Sequence, residues 1–261
     1  MLKRSVCLIV FALLAAASLP GQELKPLIVV ASFKVHPAKS EAWLAGVKKI
    51  YLPALEKQLA DGAILAYGVH EDFLHRAGEP NFEAWYVVPD YTAMEKVDNA
   101  LDAAASEHKE SMGQMMDAID FDHHSDYVFR TVIGNHKTLP AGAKPYWYFS
   151  RVQVQAGKNE EFKKGFEKYM KPTYDELVSS GAICGYDLDV EEVHSMEPGW
   201  HWTAICLPNL AAMDKVDAKF DEMIKKRGPE EQAAVMTAYR ELVVAGSHRD
   251  SVAVSRIFAS K

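Results

Sequence analysis

Cysteine is scarce and badly placed for metal: the 261 residues hold three, Cys7, Cys184 and Cys206, none at the short spacing that zinc sites use. The chain also lacks a glycine-rich phosphate loop, a nucleophile elbow and a pair of histidines at helical spacing. Basic runs are missing too. With 29 Lys and Arg against 36 Asp and Glu the formal charge is −7, which makes nucleic acid and anionic lipid poor partners. Beyond the first residues no apolar run approaches the roughly 20 residues that span a bilayer, and no low-complexity tract interrupts the chain.

The first residues are set apart. Lys3 and Arg4 precede an apolar run from Val6 to Ala16, and Ala15-Ala-Ala17 supplies small residues for cleavage. This is the pattern of a signal peptide over residues 1–17 and predicts an exported protein, periplasmic or extracellular. Cys7 lacks the small-residue cleavage site just before it that a lipoprotein needs, so no lipid anchor and no membrane in the mature form are expected. Loss of Lys3 and Arg4 moves the charge from −7 to −9.

What remains contains its own echo. Ala93-Met-Glu-Lys-Val-Asp98 returns as Ala212-Met-Asp-Lys-Val-Asp217, 119 residues on. Gly62-Ala-Ile64 returns as Gly181-Ala-Ile183, and Pro53, Tyr67, His75 and Pro89 as Pro172, Tyr186, His194 and Pro208, all by the same step. The chain therefore reads as two copies, residues 26–133 and 146–261, with a Gly- and Pro-bearing linker at 134–145.

Each copy opens with a β-branched and aromatic strand, Leu27 to Val35 and Trp147 to Val154. A helix follows, with Trp43, Val47 and Ile50 on one stripe and Phe162, Phe166 and Tyr169 on its counterpart. Ser40 and Asn159 are its expected caps, Pro53 and Pro172 should make it kink or restart, and Gly62 and Gly181 should end it. A hairpin comes next, Ala63 to Phe73 with Asn81 to Val88, repeated as Ala182 to Val193 with Trp200 to Leu207. Asp90 and Asn209 then start a second helix, and a last strand, Tyr127 to Val132 or Val252 to Ile257, closes each copy. The predicted fold is α+β: two tandem ferredoxin-like βαββαβ repeats. Such a unit leaves one sheet face bare, and two copies can cover each other within one chain, as a monomeric pseudo-dimer, or by exchange in a homodimer.

The lysine-bearing turns Pro37-Ala-Lys39 and Ala156-Gly-Lys158, the aromatic first helix with its Leu52-Pro53 or Lys171-Pro172, and the Gly-Ala-Ile before strand two resemble the dimeric α+β barrel superfamily. Within it they are most similar to NIPSNAP and antibiotic-biosynthesis-monooxygenase-like domains. The resemblance covers nearly all of the mature chain. It implies a barrel whose interior holds a small apolar molecule, with cofactor-free monooxygenase chemistry as the associated reaction. Haem-degrading members carry an axial histidine late in the second helix, a place that His108 takes here, so haem bound by His108 is the alternative. Arg227 replaces it in the second copy, and the strand around Ser32 lacks the asparagine that those enzymes use. A third reading is a structural module whose barrel is filled by Trp147, Tyr186, Trp200 and Trp202.

A hairpin register in which paired residue numbers sum to 390 sets Cys184 opposite Cys206, open either to a cross-strand disulfide or to two buried thiols. The same register sets Asp189 opposite His201, with Asp187 and Thr203 beside them. A carboxylate next to an imidazole raises its pKa and orients it, as a general base requires. Arg151, alternating with Val152 on the helix-free face, joins His201 and Asp189 as the candidate catalytic group. Asp187, Thr203, Trp147 and His70 are the candidate ligand contacts. Asp120-Phe-Asp-His-His-Ser-Asp126 resembles a metal cluster only in composition, since adjacent histidines on one segment point apart; it is read as a polar helix end, and no metal is assigned. His75 and His194 are read as loop residues.

Overall fold

Nine residues rich in β-branched and apolar side chains, Leu27–Val35, make strand β1, with the bounds that the sequence predicts. The computed structural model describes residues 25–74, 78–140, 142–193 and 198–261; the expected leader, His75 and His194 lie outside the described residues. After β1 come helices α1 (Ser40–Ile50) and α2 (Leu52–Asp61), strands β2 (Ala66–Asp72) and β3 (Phe82–Val88), helices α3 (Tyr91–Glu107) and α4 (Lys109–Met116), and the long strand β4 (Ile119–His136). The second half runs in the same order: β5 (Tyr146–Gln153), α5 (Asn159–Tyr169), α6 (Lys171–Ser180), β6 (Gly185–Val193), β7 (Trp200–Leu207), α7 (Ala212–Lys226), α8 (Pro229–Leu242) and β8 (Arg249–Ser260).

Local chemistry explains the breaks. Pro53 and Pro172 sit in the first turns of α2 and α6, where proline's missing N–H costs nothing, so each predicted kink is a fresh helix start. Gly62 and Gly181 end those helices with φ of 85° and 75°, a left-handed conformation that glycine adopts freely. Asp90 caps α3 by accepting from the Ala93 N–H at 2.8 Å. Ser40 and Asn159 are the first helical residues rather than the caps, and Ala211, not Asn209, precedes α7. The second helix of each half is two helices. The first break falls at His108, whose backbone leaves the helical region (φ −118°, ψ 37°), and the second falls before Pro229. Asp120–Asp126, expected as a helix end, belongs to β4 instead, paired with β1 on either side of a register shift.

All eight strands are antiparallel and close into a barrel in the order β1-β3-β2-β8-β5-β7-β6-β4. The halves meet at two seams, β2 with β8 and β4 with β6, so among the described residues no strand keeps a free edge. Helices cover the outside. In the second half Phe162, Phe166, Tyr174 and Leu177 pack on Tyr186, Leu188, Ile205 and Leu207; in the first, Trp43, Leu44 and Val47 pack with Val69 and Phe82. Across the first seam Arg256 of β8 binds Glu71 of β2 and Glu41 of α1.

Gly68 marks how closely that seam is packed. A Cβ there would lie 2.7 Å from Trp85 Cζ2 and 2.8 Å from the Ile257 carbonyl oxygen. Gly68→Ala is expected to cost about 1–3 kcal/mol by urea denaturation. Gly113→Ala, in α4 with nothing within 4 Å of the added methyl, should raise stability by up to about 1 kcal/mol.

Candidate functional site: the barrel interior

The helix-free faces of both halves point into the barrel, and they do not fill it. A cavity of about 540 Å3 remains, within the range of small-molecule sites. Its walls are aromatic: Trp85, Trp147, Trp202, Phe129, Phe149 and Phe258. Its mouth lies where β4 and β8 end, among Lys25, Asn135, Lys137, Leu139 and Lys261. A solid aromatic plug, one of the readings of the sequence, is not what these residues build.

Polar groups stand on two sides of this wall. On the first, Ser32, Glu83 and His70 lie in one row across β1, β3 and β2. The Trp85 indole N–H donates to His70 Nε2 at 2.9 Å. An indole nitrogen only donates, so Nε2 is the acceptor and the proton of the neutral ring sits on Nδ1. Burial drives the His70 pKa down to about 3, which keeps the ring neutral. Among the described residues its Nδ1–H has no partner, and neither does the Trp202 indole N–H across the cavity. Glu83 beside it is pushed up to about 7 by burial and by the negative charge of Asp72, with Arg151 and a Ser32 hydrogen bond pulling the other way.

On the second side, near the mouth, His136 Nε2 lies 2.7 Å from Asp187 Oδ2, and the Thr131 hydroxyl donates to Asp189 Oδ1 at 2.7 Å. Burial works against a charged His136, yet the charge of Asp187 and its hydrogen bond win, and the pKa rises. Burial and the adjacent Asp187 charge drive Asp189 well above the ordinary carboxyl range, while the Thr131 hydrogen bond and His136 pull the other way.

The predicted register is corrected by one residue. Gly185 pairs with Cys206, Asp189 with Trp202 and Val190 with His201, each summing to 391. The slip occurs at Cys184, whose N–H donates to the Cys206 carbonyl at 2.7 Å, so that Cys184 and Gly185 together face Cys206. Beyond it, one residue of slip turns the other face inward. His201 and Thr203 therefore point to the helix layer, apart from Asp189. His201 is held by the Gly199 carbonyl at 2.9 Å and packs on the Phe162 ring, and burial lowers its pKa. Asp187, Asp189, Trp147 and His70 all line the cavity. Arg151 faces inward from the far end, its guanidinium 5.8 and 5.5 Å from the ring centres of Trp200 and Trp202. Cys184 and Cys206 are two buried thiols. Glu83, Trp85, Thr131 and His136 were not singled out by the sequence, although strand alternation from His70 and Trp147 leads to the first two.

His108 lines neither this cavity nor a second one of about 400 Å3 between Val29, Met94 and Val193. Its Nδ1 lies 3.0 Å from the Ala104 carbonyl of its own helix. Neither of these two cavities would bring a bound haem against this ring. Among the described residues no three potential metal ligands converge, and no helix is long and apolar enough to cross a membrane.

Solved structures share the architecture. A protein of Fusobacterium nucleatum provisionally assigned as a monooxygenase matches at a TM-score of 0.61 and 11% identity, over 91% of this chain and 95% of its own. Another with the same assignment, from Lactobacillus acidophilus, matches at 0.60 and 14%, over 90% and 96%. The chain has the dimeric α+β barrel fold. A haem-binding protein of Thermus thermophilus shares this fold more distantly, at a TM-score of 0.51 and 12% identity over 89% and 92%. No family model and no curated protein matches the sequence.

Glu83 gives the barrel a pH signature. Its pKa in the fold, about 7, exceeds its ordinary 4.5, so the unfolded chain releases the proton first as pH rises. The stability it contributes is complete below about pH 4.5 and is lost as pH rises through about 7. Glu83→Gln cannot titrate. Its stability relative to wild type, followed by denaturant midpoints from pH 4 to 9, should climb between about 4.5 and 7 and then level off.

Proposed function

We propose that this protein is an exported barrel that binds one small, largely aromatic molecule in its interior and can take a proton from it. The observation that carries the reading is the cavity of about 540 Å3, with aromatic walls and two buried N–H donors, His70 Nδ1 and Trp202 Nε1, left without partners. Buried donors of this kind are costly unless something accepts from them. A planar ligand bearing a carbonyl or phenolic oxygen supplies that acceptor, and the rings around it supply the stacking surface.

Glu83 is the proton-handling group of this proposal. A carboxyl group that ionises near pH 7 inside an apolar wall is suited to remove a proton from a phenol or an activated C–H. His70 then orients the molecule and stabilises the negative oxygen that results. Cofactor-free oxygenase chemistry is the reaction class we assign, drawn from the resemblance in the sequence and from neighbours in fold that are assigned as monooxygenases. Arg151 and Asp189 keep a place in the proposal as charge and proton donor at the two ends of the interior. His201 does not, because it faces the helices.

Two further parts rest on sequence. Export draws on Lys3, Arg4 and the apolar run that follows. Descent of the halves from one βαββαβ unit draws on the 119-residue step and on matching bonds: Leu65 N–H to the Val87 carbonyl at 2.8 Å, and Cys184 N–H to the Cys206 carbonyl at 2.7 Å.

Titration with 2-naphthol tests the binding reading. Fluorescence of Trp85, Trp147 and Trp202 should be quenched saturably by one equivalent, and Ala204→Phe, which fills the cavity from β7, should weaken binding by about tenfold or more. Quenching that never saturates, or an affinity unchanged by Ala204→Phe in a variant with native circular dichroism, contradicts it.

A further inference from the structure

The ligand reading leaves Cys184 and Cys206 unused. They share one buried cluster with Trp147 and Ala204, under Leu139 and Phe258, and are 7% and 1% exposed. The extra residue just before β6, Cys184, stands with Gly185 opposite Cys206, which brings the two thiols into one buried cluster. Cys206 lines the cavity and Cys184 packs in the same cluster, so the pair adjoins the cavity wall.

The surroundings are those of a reactive thiol. His136 pairs with Gly185, next to Cys184, and a Cβ on that glycine would collide with the His136 ring. Asp187 holds the other edge of the ring at 2.7 Å. The His136 ring, held by Asp187, thus lies over the residue that follows Cys184. Of the charged groups near the pair, His136 and Lys137 come from β4 and the residue after it, and Asp187 and Asp189 from β6; Trp147, Ala204, Leu139 and Phe258 bring no charge. The Cys206 hydrogen bond lowers the Cys184 pKa, burial opposes it, and the positive charges of His136 and Lys137 lower it further. The corresponding residues in the first half are Leu65 and Val87, with the same backbone bond, so the fold does not need sulfur at this place.

We propose that Cys184 and Cys206 form a redox-active dithiol on the cavity wall, which reacts with small aromatic disulfides that enter the barrel. The Cys184 thiolate attacks one sulfur of R–S–S–R. A Cys184–SR bond forms, the R–S–S–R bond breaks, and RS⁻ leaves to take up the proton that Cys184 gave up. Cys206 then attacks Cys184 Sγ, closing the Cys184–Cys206 bond and releasing a second RS⁻, which takes the Cys206 proton. The protein loses two electrons and two protons, and the disulfide gains both to leave as two thiols. His136 is the positioning residue that favours the thiolate. The proposal needs the cavity only as a way in and does not depend on what else binds there.

Native, fully reduced protein mixed with 2,2′-dipyridyl disulfide and digested without reduction provides the test. We expect a peptide cross-link between Cys184 and Cys206 with no pyridyl group retained on either. Cys206→Ser should retain one pyridyl adduct at Cys184. His136→Gln should move the thiolate absorbance midpoint of Cys184 upward by about one pH unit, an effect that a merely structural histidine would not have. Wild-type protein in which both thiols stay unreacted while folded, or in which each carries its own adduct, overturns the proposal. So does a midpoint unmoved by His136→Gln for the role of His136. Because the wild-type outcome needs no variant and no 2-naphthol binding, it is separate from the fate of the ligand reading.

Discussion

Closure of the sheet is the constraint on which everything else depends. Each half presents four strands with helices on one side only, which leaves an apolar face and two strand edges to be dealt with. Pairing β2 with β8 and β4 with β6 resolves both at once: the edges hydrogen-bond to each other and the bare faces become an interior. An eight-stranded barrel is just wide enough for side chains to fill or to hold one small ligand. Here large rings line the wall, small residues such as Ala66, Ala204 and Gly68 sit among them, and space is left over.

Burial inside that barrel sets the electrostatics. Removed from water, a carboxyl group holds its proton and an imidazole sheds one, and this pushes Glu83 up, Asp189 up and His70 down. His136 goes the other way because Asp187 lies against it. The interior therefore has a neutral, donor-rich side at His70 and Trp202 and a charged pair near the mouth. Neither is what a solvent-facing sheet with the same residues would possess.

Much of this was legible in the sequence. The strand and helix order, the bounds of β1, the restarts at Pro53 and Pro172 and the glycine ends at Gly62 and Gly181 all follow from residue chemistry that acts within a few positions. The site was read less well, for one physical reason. A single extra residue at Cys184 shifts the hairpin register and exchanges the two faces, and nothing in the local composition marks it, since Gly185 is required by the distant His136 ring. His136 falls in the stretch whose glycine and prolines read as a linker, whereas β4 runs on past Ile133 to pair with β6. The 119-residue step also leads to the site: counted back from Arg151, Asp189 and Trp202 it arrives at Ser32, His70 and Glu83, the polar row on the first side of the cavity.

Amide hydrogen exchange across the two seams tests barrel closure most directly. If the halves close on each other, the amides of β2, β8, β4 and β6 that bond across the seams, such as those around Val69, Val254, Arg130 and Asp189, exchange as slowly as amides within the β1–β3 and β5–β7 pairs. Rapid exchange confined to the outward-bonding amides of those four strands, as on free sheet edges, would contradict the barrel and every site placed within it.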